Sequence, residues 1–233
     1  MHDRTIIPAL LCGSLEEITR KLEIIEGAAP VVQLDVVDGT YTPSFSWPYT
    51  KQGTETDQTL STEEEGLPLW KTFDFEADLM VSHSARDAAL WVKMGAARIV
   101  IHQNSPDAHE ALQLLQPYRK GAYPVSVGIA LPNIATSDTL QPYEHLFDYV
   151  QVMGIVRVGR QGEPFDANAL QTVRIIRHAY PDLPIQVDGG VKEEYIPELK
   201  AAGVTRFVVG SAIFTNAHPK EYIAVLEHCV TNA

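Results

Sequence analysis

Two hydrophobic rhythms alternate along the chain. Short apolar runs rich in β-branched residues cover residues 5–12, 31–37, 75–81, 98–102, 123–131, 147–153, 183–189 and 206–210, and each reads as a strand. Between them the period changes to that of a helix. Leu15, Ile18, Leu22 and Ile25 fall on one face, opened by Ser14 with Glu17 three residues on, the pattern of a capping box. Similar helices are predicted at about 84–95, 106–119, 166–179, 192–202 and 219–229, with Gly95 and Gly203 as stop signals before the next strand. Eight nearly continuous apolar strands with helical crossovers predict an α/β chain, a single closed (β/α)8 TIM barrel spanning residues 1–233. An open doubly wound sheet is the weaker alternative, because no GxGxxG follows the first strand.

One segment breaks the rhythm. Residues 50–66, TKQGTETDQTLSTEEEG, are polar and acidic where the second crossover helix is expected. They predict a surface excursion after the second strand, with at most a short helix near 60–71. A solvated loop is the plainer reading, and a lid over the barrel mouth the other.

Composition narrows the partners. The chain carries 18 Lys+Arg against 30 Asp+Glu, a net charge of −12, which repels nucleic acid and anionic membranes. Cys12 and Cys229 form no CxxC pair, so neither a zinc ribbon nor a disulfide scaffold is indicated. The N-terminal apolar stretch is too short for a membrane span and soon meets acidic residues, so a cytoplasmic protein is expected. No Ser-His-Asp order, HExxH or P-loop supports hydrolysis or nucleotide binding.

Functional residues of such a barrel belong at the C-terminal ends of its strands. Asp35, Asp78 and Asp188 each sit in a strand among apolar residues, where an unpartnered carboxylate is costly. Gln33 lies two residues from Asp35 and therefore points the same way. Three inward-facing acids must share a cation or meet positive groups. The competing structural reading has Asp35 capping a turn and Asp188 serving the Asp-Gly-Gly turn. Gly189 and Gly190 follow the seventh strand, and Gly210 and Ser211 the eighth, which is where barrels of this kind bind phosphate. His83, at a helix start, reads as a cap or an exposed residue. His102, at the end of the fourth strand, could face the site. Arg157 and Arg160 fall in the loop after the sixth strand, near the barrel mouth, and could be solvated or contact an anion.

These residues resemble the ribulose-phosphate 3-epimerase family. IIPALL, QLDVVDGTYTPSF, FEADLMV, VGIAL, the Met153 stretch running to QGEPF, VDGGV and VGSAIF follow one another in the family's order over nearly the whole chain. The resemblance implies interconversion of ribulose 5-phosphate and xylulose 5-phosphate, or a related ketose phosphate, by proton transfer at C3 between two carboxylates, with a divalent metal stabilising an enediolate. Asp35 and Asp188 match the acid/base pair. Gly189, Gly190, Gly210 and Ser211 match the phosphate grip, and Met80 and Met153 two methionines beside the sugar. It also implies a sugar-phosphate substrate and a homo-oligomer.

Two of the departures fall on the metal. Gln33 and Asp78 stand where the family has ligand histidines, Ala9 replaces a serine, Val37 a methionine, and the strand-6 loop reads GIVRVGRQGEP instead of a glycine-rich run. If Gln33, Asp35, Asp78 and Asp188 converge, the all-oxygen set suits Mg²⁺ or Mn²⁺ rather than Zn²⁺ or Fe²⁺. If no metal binds, the carboxylates must share protons or pair with Arg157 or Arg160. A divergent lyase or isomerase, or a non-catalytic phosphosugar-binding protein, is the alternative to an epimerase.

Overall fold

A strand that is apolar on both faces has to be covered on both faces, and the computed structural model, which describes residues 5–49 and 66–233, covers them by closure. Strands β1 (Ile6–Leu10), β2 (Val31–Val37), β3 (Asp74–Met80), β4 (Arg98–His102), β5 (Ser126–Leu131), β6 (Tyr149–Met153), β7 (Ile185–Asp188) and β8 (Arg206–Val209) pair in parallel in chain order, and β8 returns to β1. All eight predicted strands form. Their ends are shorter than the apolar runs because flanking residues such as Leu11 and Cys12 continue the hydrophobic pattern into the loops.

Alternation along β2 assigns its faces. Val32, Leu34 and Val36 belong to the large core between the strands and the helices, while Gln33 and Asp35 take the opposite face. The register sets Gln33 beside Glu76 and Asp35 beside Asp78 on β3. The barrel interior is consequently polar along β2, β3, β6 and β7, where Gln33, Glu76, Asp78, Gln151 and Gln186 are all fully buried.

Helix α1 (Leu15–Ile25) buries Ile18, Leu22 and Ile25 against that outer core, each contributing about 1.5–3 kcal/mol of transfer free energy. Ser14 Oγ accepts from Glu17 N at 3.2 Å, as the capping pattern predicts, but Glu17 reaches back to the amide of Gly13 rather than of Ser14. The other helices are α2 (Ser84–Lys93), α3 (Ala108–Leu115), α4 (Asn168–Ala179), α5 (Ile196–Ala202), α6 (Ser211–Phe214) and α7 (Pro219–Asn232). The segment predicted as one helix over 106–119 tightens to a 3-10 turn at Gln116–Arg119, since Pro117 has no N–H to continue the α ladder. Gly203 ends α5 with φ 110°, the left-handed conformation that favours glycine. The crossover between β5 and β6 is a 3-10 helix, Ser137–Tyr143, with Pro142 inside it.

The acidic excursion lies outside the described residues up to position 65, as does most of the short helix expected near 60–71. Its described end, residues 68–72, forms turns instead of a helix, with Leu69 at φ 55°. Among the described residues no helix is long and apolar enough to cross a membrane.

Candidate active site

Barrel closure brings carboxylates from three strands to one place. Single oxygens of Asp35, Asp78 and Asp188 all lie within 4.8 Å of one another. The Gln33 side-chain amide donates to Asp35 Oδ1 at 2.8 Å and to Asp188 Oδ2 at 2.9 Å, joining two strands that are not neighbours. Asp78 is held from the other side, by His102 Nε2 at 2.9 Å and by the Gln151 amide at 3.1 Å. Asp78 and His102 are buried, whereas Asp35 is partly open to a pocket at the barrel mouth.

Neither turn-capping alternative describes these acids. The turn after β2 is held by Asp38, whose carboxylate accepts from the amides of Thr40, Tyr41 and Ser82. Those bonds keep the Asp38 carboxyl below the usual range against the opposing effect of burial. The Asp188 carbonyl accepts from Gly154 N at 2.6 Å, extending the β6–β7 pairing, while its carboxylate joins the cluster.

Crowding acids in a buried site favours their protonated forms. Burial, then the Asp78 charge, push Asp35 up to about 7. Burial, then the charges of Asp35 and Asp78, push Asp188 well above the usual carboxylate range. A cation at the cluster would reverse that preference. Asp35, Asp78 and Asp188 therefore fit a hard divalent ion as an oxygen donor set. Gln33 turns its N–H toward the acids and its oxygen toward Gln186 Nε2, 3.4 Å away, so it would have to turn its amide over to become a ligand.

A second polar layer supports the first from below. Gln186 Nε2 donates to Gln151 Oε1 at 2.7 Å and to Glu76 Oε1 at 2.6 Å, and Tyr149 Oη donates to Glu76 Oε2 at 2.8 Å. The Arg206 guanidinium lies over the Tyr149 ring at 4.0 Å.

The remaining predicted residues converge on the pocket above. Met80, Met153, Gly189, Gly190, Gly210 and Ser211 all line it. The backbone crowds there: a Cβ on Gly190, which has φ 69°, would stand 2.6 Å from Phe165 N. Arg160 lines the pocket as well, while Arg157 pairs with Glu163 at 2.9 Å. His83 is exposed at the start of α2 without a side-chain capping bond.

His102 faces the cluster, one of the two orientations open to it from sequence, and Gln151 joins it although the motifs pass it over. Gln151 was within reach of the alternation argument, since it lies two residues before Met153 and shares its face. His102 shares the face of Val100, whose inward orientation is a matter of barrel packing.

The fold and the acid cluster define a (β/α)8-barrel protein whose clustered carboxylates lie toward the C-terminal ends of the strands. Across residues 5–214 the chain matches the family model described as the ribulose-phosphate 3 epimerase family, and it belongs to that family. It is 26% identical to the ribulose-phosphate 3-epimerase of Schizosaccharomyces pombe, over 100% of this chain and 96% of the relative. With that of Aquifex aeolicus it shares 28% identity over 91% and 90% of the two chains. Among solved structures it resembles a 3-hexulose-6-phosphate synthase, with a TM-score of 0.66 and 20% identity over 97% of this chain and 99% of the other. It also resembles KGPDC from Streptococcus mutans, with a TM-score of 0.66 and 12% identity over 98% and 97% of the two chains. At these identities the structural likenesses speak for the fold alone.

Proposed function

We propose that the chain is an isomerase that moves the C3 proton of a ketose phosphate, interconverting ribulose 5-phosphate and xylulose 5-phosphate or a closely related pair. The observation that carries the reading is the Asp35–Gln33–Asp188 bridge, which holds two carboxylates at one pocket. One carboxylate takes the proton from one face of C3 and the other returns a proton to the opposite face. Without a cation, burial raises the basicity of both. Gln33 sets the separation of the pair, and His102 and Gln151 orient Asp78. Met80 and Met153 form apolar walls that keep water from the reacting carbons, and the turns at Gly189, Gly190, Gly210 and Ser211 receive the phosphate.

Asp35, Asp78 and Asp188 would hold a divalent cation, Mg²⁺ or Mn²⁺ in preference to Zn²⁺ or Fe²⁺. When bound, it supplies positive charge beside the oxygens of the developing enediolate. A second reading, a lyase, isomerase or non-catalytic binder of phosphosugars, draws on the Gln33 N–H, which satisfies Asp35 and Asp188 without a cation.

Conversion of ribulose 5-phosphate, measured with metal-stripped protein and after adding Mg²⁺, Mn²⁺, Zn²⁺ or Fe²⁺ separately, tests the proposal. Turnover that requires a hard cation and disappears in Asp188→Asn supports it. No turnover with any of the four metals overturns the epimerase reading for this substrate.

A further inference from the structure

The loop joining β6 to α4 reads GIVRVGRQGEP where the resemblance implies a glycine-rich run, and its geometry gives that departure a use. Arg157 and Glu163 pair through one edge of the guanidinium, Nε to Oε2 at 2.9 Å and Nη2 to Oε1 at 2.9 Å, clasping the segment between them into a ring. Gly159 at φ 75° and Gly162 at φ 79° supply the bends on either side of Arg160 and Gln161.

The ring is fastened to the β2 loop. Ser44 Oγ donates to the Gly159 carbonyl at 2.6 Å, and Thr42 Oγ1 to the Val158 carbonyl at 3.2 Å. No larger residue fits at the tip, since a Cβ on Gly159 would stand 2.6 Å from Thr42 Cγ2. Held in this way, the ring presents Arg160 and Gln161 to the pocket of Asp35, Asp188, Gly190 and Ser211. The Gln161 amide nitrogen reaches the floor of the turn after β8, 3.1 Å from where a Gly210 Cβ would stand.

Charge singles out Arg160. Of the pocket's described lining residues, Asp35, Glu163 and Asp188 are acidic and Arg160 alone is a cation. Glu163 is answered by Arg157. An anionic substrate entering a chain of net charge −12 gains most from a cation beside its own negative group.

We propose that Arg160 is a substrate-binding residue that pairs with the phosphate of the substrate, its guanidinium closing over the phosphate turns from the loop side. This rests on the phosphate-ester reading of the pocket above. Arg160 thereby selects substrates with a dianionic end. Guanidinium and phosphate match in geometry as well as in charge, so lysine should substitute only in part.

The test separates binding from chemistry. Inorganic phosphate and glycerol 3-phosphate are titrated calorimetrically into the wild-type protein, Arg160→Ala and Arg160→Lys, at low and high salt. We expect Arg160→Ala to lose at least tenfold in affinity for both probes, with weaker salt dependence, and Arg160→Lys to fall between. In turnover, Arg160→Ala should raise KM for the phosphorylated sugar by at least tenfold and change kcat less. Equal probe binding by wild type and Arg160→Ala, or no probe binding by the wild type, would overturn the assignment. Arg160-dependent phosphate binding without C3 proton exchange would retain it and remove the epimerase reading.

Discussion

His102 Nε2 lies 2.9 Å from Asp78 Oδ1, inside the barrel and across the β3–β4 boundary. Tyr41 meets the edge of the same imidazole with ring centroids 5.5 Å apart, so the histidine is fixed between the β2 loop and the acid it supports. Partners that orient a ligand in this way typically contribute on the order of 10–100-fold to metal affinity. His102→Ala should therefore weaken Mn²⁺ binding by roughly that factor. A Mn²⁺ titration followed by electron paramagnetic resonance checks this, with circular dichroism as the control for folding. Unchanged affinity would show that Asp78 needs no such support.

The acid cluster should make metal-free stability depend on pH. Asp35 is raised in the folded protein to about 7 from an ordinary value of 3.8, so the folded state holds its proton more tightly than the unfolded chain does. The resulting stabilisation is complete below the ordinary value and is lost as the pH rises through about 7. Asp188, raised for the same cause, adds in the same direction. Chelator-treated protein should show a falling Tm between about pH 5 and about pH 8, flattened in Asp35→Asn. A Tm that rises over this interval would contradict the assignment.

Removing either carboxylate should stop conversion while leaving the barrel folded. General acid–base groups contribute roughly 10²–10⁴-fold, so Asp35→Asn and Asp188→Asn should each lose at least that much in kcat. Exchange of the C3 hydrogen with deuterated solvent, followed by NMR from each epimer in turn, distinguishes the two. Each variant should keep more exchange from the epimer whose proton faces the surviving carboxylate, and equal loss from both epimers would argue against a two-base shuttle.

The floor of the site predicts a stability effect far from the mouth. A Cβ on Gly128 would fall 2.5 Å from Tyr149 Cζ, whose hydroxyl donates to Glu76. Gly128→Ala should destabilise by about 1–3 kcal/mol through overpacking, read as a lower urea midpoint. It should also disturb the Glu76–Gln186–Gln151 chain beneath Asp78, so the same variant is expected to bind Mn²⁺ more weakly.

Much of the fold was legible because strand and helix periods are local. The run VVQLDVV alone set Gln33 and Asp35 on one face, and the eight runs with their crossovers implied closure. Strand-end position gave Asp188 and the glycine turns, and the resemblance added Met80 and Met153; all of them line one pocket. Less was visible where proline changed the hydrogen bonding, as after Leu115.

Alternation determines which residues share a face of a strand, and the sequence by itself carries that information for Gln33 with Asp35 and for Gln151 with Met153. It carries no distance between strands. Only closure of the barrel brought Gln33 from β2 to within 2.9 Å of Asp188 on β7, 155 positions away, and turned His102 toward Asp78 rather than toward the helices. The physical reason is that local periodicity follows from backbone geometry, whereas contacts between distant strands depend on how all eight pack at once.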